Sequence, residues 1–85
     1  MNPFLLAISS PDGDVFRGEI CSIFLRGAEG ELAVMAGHIP FVTTVVPCEV
    51  KIVLEDGTTE TGKTEGGILT VGSDMVTLLS SSFVF

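Results

Sequence analysis

The segment Gly57–Thr64 has the residue types and the spacing of a phosphate-binding loop. It reads Gly-Thr-Thr-Glu-Thr-Gly-Lys-Thr and satisfies the pattern G-x-x-x-x-G-K-[ST]. Such a loop binds phosphate because it leads into a helix, whose N-terminal N–H groups and dipole face the anion. Here a glycine break, Glu65-Gly66-Gly67, and then a strand-like apolar run follow instead, and Glu60 inside the loop would repel phosphate. We therefore predict a β-hairpin at this position, with a nucleotide-binding module as the alternative hypothesis.

His38 is the only histidine of the chain and the one candidate for proton transfer near neutral pH. It lies between Gly37 and Pro40, which interrupt regular structure and predict a rigid loop. Nucleophilic catalysis needs a nucleophile, a base and a group that orients the base. The sequence has no serine in a G-x-S-x-G elbow and no identifiable orienting carboxylate. We expect no catalytic residues, and a structural or interface role for His38.

Glu29 and Glu31 form a carboxylate pair on either side of Gly30. Such a pair is a feature of acid–base and metal sites, but a hard cation needs several more oxygen ligands, and none stand nearby. With one histidine and two cysteines, the chain also has no zinc pattern of known spacing. We therefore expect no metal site and no cofactor. The two glutamates are expected to be solvated or to meet the cations of a partner.

The two cysteines, Cys21 and Cys48, are too few for a disulfide framework. Cys21 lies in an alternating apolar run, which predicts a buried, reduced thiol. This use of cysteine indicates a reducing compartment.

The elements that must position these residues are strands, because apolar residues recur with a period of two and no ten-residue segment has a helical period. Gly, Asp and Pro separate the runs, and Asp56-Gly57 is a strong hairpin signal. Gly72-Ser73-Asp74 is expected to form the turn of another hairpin. Gly18 is expected to end or bulge a short strand that begins at Val15. The predicted strands cover residues 4–9, 15–16, 21–26, 31–35, 41–46, 49–54, 58–64, 68–71 and 75–79. Residues 83–85 are expected to form either a last strand or a frayed tail. The fold class is all-β, a small β-sandwich or flattened barrel of eight to ten short strands.

The length and the charge of the chain limit its partners. A chain of 85 residues forms one core, so we expect a single domain over residues 1–85. Four Lys and Arg residues against eleven Asp and Glu residues give a net charge of −7. This balance leaves no basic patch for nucleic acid, disfavours anionic lipid and favours a partner with positive surface charge.

The chain is unusually apolar for its size. Hydrophobic residues make up 46% of it and charged residues 18%, against roughly 25% charged in soluble domains. No apolar run approaches the roughly 20 residues of a membrane-spanning helix, so we expect no direct membrane insertion. Residues 4–8 are too short a run and lack the flanks of a signal peptide. The excess apolar content predicts that another protein covers part of the surface.

A block of motifs in the middle of the chain carries a family resemblance. Glu29-Gly30-Glu31-Leu32-Ala33-Val34, followed by Gly37-His38-Ile39-Pro40-Phe41, resembles the epsilon subunit of F-type ATP synthases. Further agreement follows in the same order along essentially all 85 residues. It comprises Pro11-Asp12-Gly13, Val15-Phe16, Gly18-Glu19, Thr43, Val46-Pro47, Val50-Lys51-Ile52 and Gly66-Gly67-Ile68-Leu69-Thr70-Val71.

The resemblance implies a ten-stranded β-sandwich and a non-catalytic rotor component of the central stalk. Such a subunit binds the gamma subunit, rests on the ring of c subunits and helps to couple ion flow to ATP synthesis. It would lie at the cytoplasmic face of the membrane as a peripheral part of the complex. By position, the segment from Glu29 to His38 would face the polar loops of the c ring. Glu29, Glu31 and His38 are then the docking residues, with Glu31 against a cation, and an apolar face of the sandwich would meet gamma.

The sequence also departs from the family pattern. The C-terminal helical hairpin, which inhibits ATP hydrolysis and in some members binds ATP, has no counterpart in these 85 residues, so we expect no autoinhibition by that route. Cys48 stands where the family has a glycine, which predicts a different backbone in the turn after Val46-Pro47. Met35-Ala36 replaces a pair that commonly ends in proline, which predicts a looser loop on the side that would face the c ring. Residues 58–65 are more polar than in the family, which predicts an edge that is exposed or mobile. A free-standing β-sandwich adaptor is a further alternative.

Overall fold

Nine β-strands and the turns between them make up the computed structural model, which describes residues 2–85. The strands are β1 (Phe4–Ser10), β2 (Gly13–Gly27), β3 (Gly30–Met35), β4 (Phe41–Val45), β5 (Cys48–Leu54), β6 (Thr59–Thr64), β7 (Gly67–Val71), β8 (Met75–Ser80) and β9 (Phe83–Val84). The described residues contain no helix, and hence none long and apolar enough to cross a membrane. The all-β prediction is confirmed.

The strands form two layers that share β2. In layer I the first half of β2 pairs with β1, β1 runs parallel to β8, and β7 joins β8 to β4. In layer II the second half of β2 lies between β3 and β5, and β6 joins β5 to β9. A single antiparallel bridge between Gly27 and Val45 connects the end of β2 back to β4. Alternate residues of each strand therefore face either the space between the layers or solvent.

The unbroken length of β2 corrects a sequence prediction. Separate strands were expected on either side of Gly18, yet Gly18 pairs with Leu6 inside one strand of 15 residues. At about 3.3 Å per residue a straight strand of this length would extend roughly 46 Å. The molecule measures 29 Å along its longest axis. The strand therefore bends, and its register against β5 shifts between Ile20 and Ser22. The merger of two expected strands gives nine strands where the resemblance implied ten.

The same register shift explains why the prediction for Cys21 is wrong. A buried thiol was expected, but Cys21 is half-buried and its neighbour Ser22 is buried. A bulge adds a residue to one strand, and so it changes which side chains of that strand face inward. Cys48 is half-buried as well, and both cysteines are free thiols.

The core between the layers is built from the inward positions of both. It contains one cluster of buried side chains, namely Leu6, Ile8, Ile20, Ile23, Leu25, Val34, Val45, Val50, Ile52, Leu69, Val71, Val76, Leu78 and Phe83. Seven of the largest apolar ones are fully shielded from solvent, including Ile23 and Ile52, which pair across β2 and β5. Burial of such side chains is the main favourable term in the folding of a domain this small.

A buried pair of hydroxyl groups holds one end of the molecule together. The side-chain oxygens of Thr64 and Ser80 are 2.6 Å apart, and both residues are buried. The Gly66 N–H donates to Thr64 at 3.1 Å, and the Ser80 hydroxyl donates to the Ser82 carbonyl at 2.7 Å. These bonds fix the linkers that follow β6 and β8. The prediction that residues 58–65 are exposed holds for residues 58–61, Lys63 and Glu65, but not for Gly62 and Thr64, which are buried.

Candidate functional site

The sequence that matches a phosphate-binding loop forms a β-hairpin, as predicted. Gly57 has a φ of +89° in the turn between β5 and β6, and the residues after the turn form a strand rather than a helix. The carboxylate of Asp56 accepts hydrogen bonds from the hydroxyl and the amide of Thr58. These two bonds, the hydroxyl first, hold the pKa of Asp56 below its usual 3.8. Without a following helix, the segment has no cluster of free N–H groups to hold a phosphate.

Gly62 and Lys63 have structural neighbours that explain them without a nucleotide. Gly62 lies against Phe83, since a Cβ built on it would lie 2.6 Å from the ring. Lys63 pairs with Glu49 on β5 and with Val84 on β9. The glycine and the lysine of the motif therefore serve strand packing and strand pairing.

The carboxylates Glu29 and Glu31 lie at the turn between β2 and β3. Gly27 and Gly30 pair across this turn, and Gly30 has a φ of +124°, which a side chain would disfavour. Glu31 is opposite Arg26, and their side chains form a salt bridge of 3.8 Å that is largely exposed. An exposed pair of this kind contributes about 0.2–1 kcal/mol, so a cation of a partner can replace Arg26 at little cost.

His38 lies in the exposed loop between β3 and β4, at the other end of β3 from Glu31. Its ring is 6.2 Å from that of Phe41, and Ile39 beside it is 81% exposed. From Glu31 to Met35 the strand extends about 13 Å. The structure therefore brings Glu29 and Glu31 together but separates His38 from both. The segment from Glu29 to His38 consists of a turn, a strand and a loop.

The outer face of β4, β7 and β8 carries no charged side chain. Its exposed apolar residues are Val42 (66% exposed), Ile68 (48%) and Leu79 (54%). Ile68 and Leu79 pair directly across β7 and β8, and Val42 is two residues from Thr44, which pairs with Ile68. The remaining outward residues of these three strands are Thr44, Thr70, Met75 and Thr77. We call these seven residues the uncharged face.

The sequence predicted an apolar surface that another protein covers, but it did not show which strands carry this surface. A signal for it exists, because Phe41-Val42, Ile68-Leu69 and Leu78-Leu79 are apolar at successive positions. A strand with one solvated face alternates apolar and polar residues, so successive apolar residues indicate a strand covered on both faces. In the described residues no cluster of three or more His, Cys, Asp or Glu side chains could hold a metal ion.

Comparison with known proteins identifies the family. The profile described as ATP synthase, Delta/Epsilon chain, beta-sandwich domain matches residues 3–85. A chain of the Euglena gracilis mitochondrial ATP synthase, from a structure of OSCP/F1/c-ring in rotational state 1, superposes with a TM-score of 0.91 at 24% identity. The match covers 96% of this chain and 52% of that one. A chain from the central stalk and c ring of the Tetrahymena thermophila mitochondrial ATP synthase gives a TM-score of 0.81 at 12% identity, covering 98% of this chain and 66% of that one.

These figures establish two facts. At such identities the two structures show that the fold is shared, and this chain spans about half to two thirds of the chains that it matches. The profile covers almost every residue of the sequence, with the E-G-E-L and G-H-x-P motifs inside it. The chain belongs to the ATP synthase delta/epsilon family, of which it represents the β-sandwich domain.

Proposed function

We propose that this chain is a non-catalytic rotor subunit in the central stalk of a rotary F-type ATP synthase. In that role it docks on the gamma subunit and the c ring and helps to couple ion translocation to ATP synthesis. Family membership supports the proposal, and the matched Tetrahymena chain comes from a central stalk with its c ring. The subunit would be peripheral, at the cytoplasmic face of the membrane, as part of the complex. The observation that carries the proposal is the uncharged face.

The gamma subunit is the proposed partner of the uncharged face. Fifteen of the 85 residues are charged, yet none projects from the outer face of three adjacent strands. Exposed Val42, Ile68 and Leu79 would leave apolar surface in water in a free-standing protein, whereas monomers rarely expose large apolar patches. A tight, permanent contact to another stalk subunit removes this surface from water.

The c ring is the proposed partner of the edge formed by β3. Among the described strands β3 pairs with β2 alone, so its other edge faces outward from Glu29 to His38. Glu29 and Glu31 supply carboxylates at one end of this edge, and His38 supplies a polar ring at the other. Contact with the polar loops of the c ring along β3 would use all three residues. Exposed charges at the edge of an interface determine the relative orientation of the two proteins and their rate of encounter more than their affinity.

Binding to the cognate gamma subunit tests the first contact. This chain has no Trp and no Tyr, so any Trp or Tyr of gamma gives an uncontaminated fluorescence signal. We expect a saturable one-to-one complex. Failure of the folded chain to bind would remove the main support for the stalk role.

The substitution Leu79→Glu locates the contact on the uncharged face. A fully buried Leu contributes about 1.5–3 kcal/mol, and about half of this side chain is exposed before binding, so lost burial alone costs about 1 kcal/mol. Desolvation of the new carboxylate adds to this cost, and we expect at least about tenfold weaker binding. Val84→Glu is the matched control, because Val84 is 65% exposed but lies in β9 of layer II. Equal effects of the two substitutions would contradict the placement of gamma.

The substitution Glu31→Lys tests the contact with the c ring. It reverses the charge proposed to meet a cation, and it removes only an exposed salt bridge, so the fold should be retained. We expect weaker coupling, measured as ATP-driven proton pumping in reconstituted vesicles. Glu55→Lys, in the turn after β5, is the matched control with the same change of charge. Unchanged pumping in Glu31→Lys would mean that the charge is dispensable.

The two alternatives make different predictions. A nucleotide-binding module would show ATP-dependent amide shifts that Lys63→Ala abolishes, whereas the hairpin gives no reason to expect them. A free-standing adaptor would not co-purify with membranes that carry the ATP synthase. The uncharged face favours the stalk subunit over the nucleotide-binding module, which requires no covered apolar surface, and co-purification separates the stalk subunit from the adaptor.

A further inference from the structure

We infer that Arg17 and Glu19, on the outer face of layer I, fix the position of the gamma subunit on this layer, each against an opposite charge of gamma. The inference rests on the proposed contact between gamma and the uncharged face, and it extends that contact to two residues outside the uncharged face. Both side chains are exposed, and neither forms a salt bridge in the part of the chain that the structure describes.

The uncharged face is too small for a stable interface on its own. Its three strands have five or six residues each. At about 3.4 Å per residue and about 4.8 Å between strands, they cover roughly 250 Å² in projection. Stable interfaces bury about 800 Å² of accessible surface on each partner. A gamma subunit that binds here must therefore reach beyond these three strands.

Layer I continues on one side of the uncharged face only. On the far side, β4 is the end strand of the layer apart from a single bridge to the end of β2. On the near side, β8 pairs with β1, and β1 pairs with the first half of β2. Leu6 and Ile8 of β1 are fully buried, and alternate residues of a strand face the same side. The outward residues of β1 are therefore Leu5, Ala7 and Ser9, none of which is charged.

Beyond β1, the outer face of layer I carries charges on β2. Arg17 is opposite Ala7 and Glu19 is opposite Leu5, so both face outward with these residues. Two strand spacings, about 10 Å, separate them from β8 and hence from the uncharged face. Arg17 is the one basic residue of layer I, because the other three lie on strands and strand segments of layer II, namely Arg26, Lys51 and Lys63.

A third charge on this part of β2 already has a partner within the chain. Asp14 is opposite Ser9, and its carboxylate accepts a hydrogen bond of 2.9 Å from the Ser9 hydroxyl. Arg17 and Glu19 have no such bond, so they are the charges that remain for gamma.

These two charges can define one position of gamma, which the uncharged face cannot do alone. Every outward residue of the uncharged face is aliphatic, Met or Thr. A slip of two residues along the strands, about 7 Å, therefore brings similar groups into contact. The same slip would take Arg17 and Glu19 away from their opposite charges, and this penalty selects the correct position. Because the two signs differ, gamma must present an anion and a cation about 7 Å apart in one order only.

The test is a swap of the two charges. Arg17→Glu combined with Glu19→Arg keeps the net charge at −7 but reverses the order of the signs. We expect the affinity for gamma, followed by the fluorescence of gamma, to fall at least about tenfold, because each charge then faces one of its own sign. At about 1 M salt the difference from the wild type should shrink to less than about threefold, since exposed charges are screened.

Two further variants complete the design. Glu49→Lys combined with Lys63→Glu is the matched control, because it swaps a cross-strand pair of layer II and should leave the affinity unchanged. Arg17→Gln combined with Glu19→Gln also keeps the net charge, and it should lose less affinity than the swap, since it removes attraction without adding repulsion. Both altered positions are exposed, so the fold should be retained, and circular dichroism checks this.

Three results would overturn the inference. They are equal affinities of the swap and the wild type, equal losses in the swap and in the control, and a loss in the swap that persists at about 1 M salt, which would come from packing rather than charge. A failure of the proposed function is different, because there the wild-type chain does not bind gamma or Leu79→Glu binds as well as the wild type. In that case the inference falls with the contact on which it rests.

Discussion

Replacement of Gly62 by alanine separates the two explanations of the sequence Gly57–Thr64. In a phosphate-binding loop the glycine would serve the ligand, and its replacement would leave the fold stable. In the structure the new Cβ would lie 2.6 and 2.8 Å from two ring atoms of Phe83 and 2.9 Å from the carbonyl oxygen of Val84. Gly62 has no positive φ, so the conflict is one of space alone.

The size of the effect follows from these contacts. Phe83 is buried, and the Val84 carbonyl is fixed by the pairing of β6 with β9, so neither neighbour yields freely. Overpacking of a core costs about 1–3 kcal/mol. An alanine in place of a strand glycine returns about 0.5–1 kcal/mol through backbone entropy. The net loss therefore lies between about 0 and 2.5 kcal/mol, centred on about 1 kcal/mol, and in a domain of this size a loss of about 1 kcal/mol lowers the Tm by about 4–8 °C.

Thermal unfolding followed by far-ultraviolet circular dichroism measures this loss. Lys63→Ala is the matched control, because its side chain is exposed and its removal should change stability by less than about 0.5 kcal/mol. Combining Gly62→Ala with Phe83→Leu should cost less than the sum of the two single substitutions, since the smaller side chain makes room for the methyl group. An unchanged Tm in Gly62→Ala, or an equal fall in Lys63→Ala, would refute the packing explanation.

Two other predictions concern the turns and linkers. Thr64→Val should lower stability by about 1–3 kcal/mol, measured by urea unfolding, because it leaves the N–H of Gly66 without its acceptor and removes the hydrogen bond between the two buried hydroxyl groups. Thr64→Ser keeps the hydroxyl and should cost less. The hydrogen bonds from Thr58 lower the pKa of Asp56 in the folded state. The ionised carboxylate therefore stabilises the fold at pH values above its unfolded pKa of about 3.8, and this contribution is lost as the pH falls through the lower pKa of the folded state. A carbon NMR titration should find the pKa of Asp56 below 3.8 in the native chain and closer to 3.8 in Thr58→Val, and an identical titration in both would contradict this cause.

The strands were predictable because their local pattern and their turns agree. Apolar alternation and the Asp56-Gly57 turn predicted the hairpin of β5 and β6, and Gly72-Ser73-Asp74 likewise predicted that of β7 and β8. In both hairpins the alternating apolar residues and the turn residues predict the same structure.

The bend of β2 was not predictable from the same pattern. Gly18 weakens a strand on its own, and only the pairing with Leu6 on β1 shows that the strand continues through it. The register shift near Cys21 arises because β2 must leave layer I and enter layer II. These are tertiary constraints, and no window of a few residues contains them.

The candidate docking surfaces likewise include one that local sequence could predict and one that depends on the pairing of distant strands. The spacing of Glu29 and Glu31 showed that they form a pair, because two residues beside one turn stay close in any hairpin, but their proposed role toward the c ring comes from the family resemblance. Val42, Ile68 and Leu79 lie on three different strands and come together only through the pairing of β4, β7 and β8. Sequence reasoning could not place them on one face, and so it predicted an apolar surface without locating it.

The bent strand β2 also bears on how a rotor subunit could transmit force. Its first half pairs with β1 of layer I, next to β8, whose outer side belongs to the uncharged face. Its second half pairs along its whole length with β3, the edge proposed to meet the c ring. The two proposed contacts are thus joined by one backbone with strand hydrogen bonds on both sides of the bend and without a loop between them. Strand ladders in a core are among the most stable parts of a domain, so we expect a displacement at one contact to reach the other without a flexible joint. A subunit held between a turning ring and a shaft needs this stiffness, and the continuity of β2 supplies it.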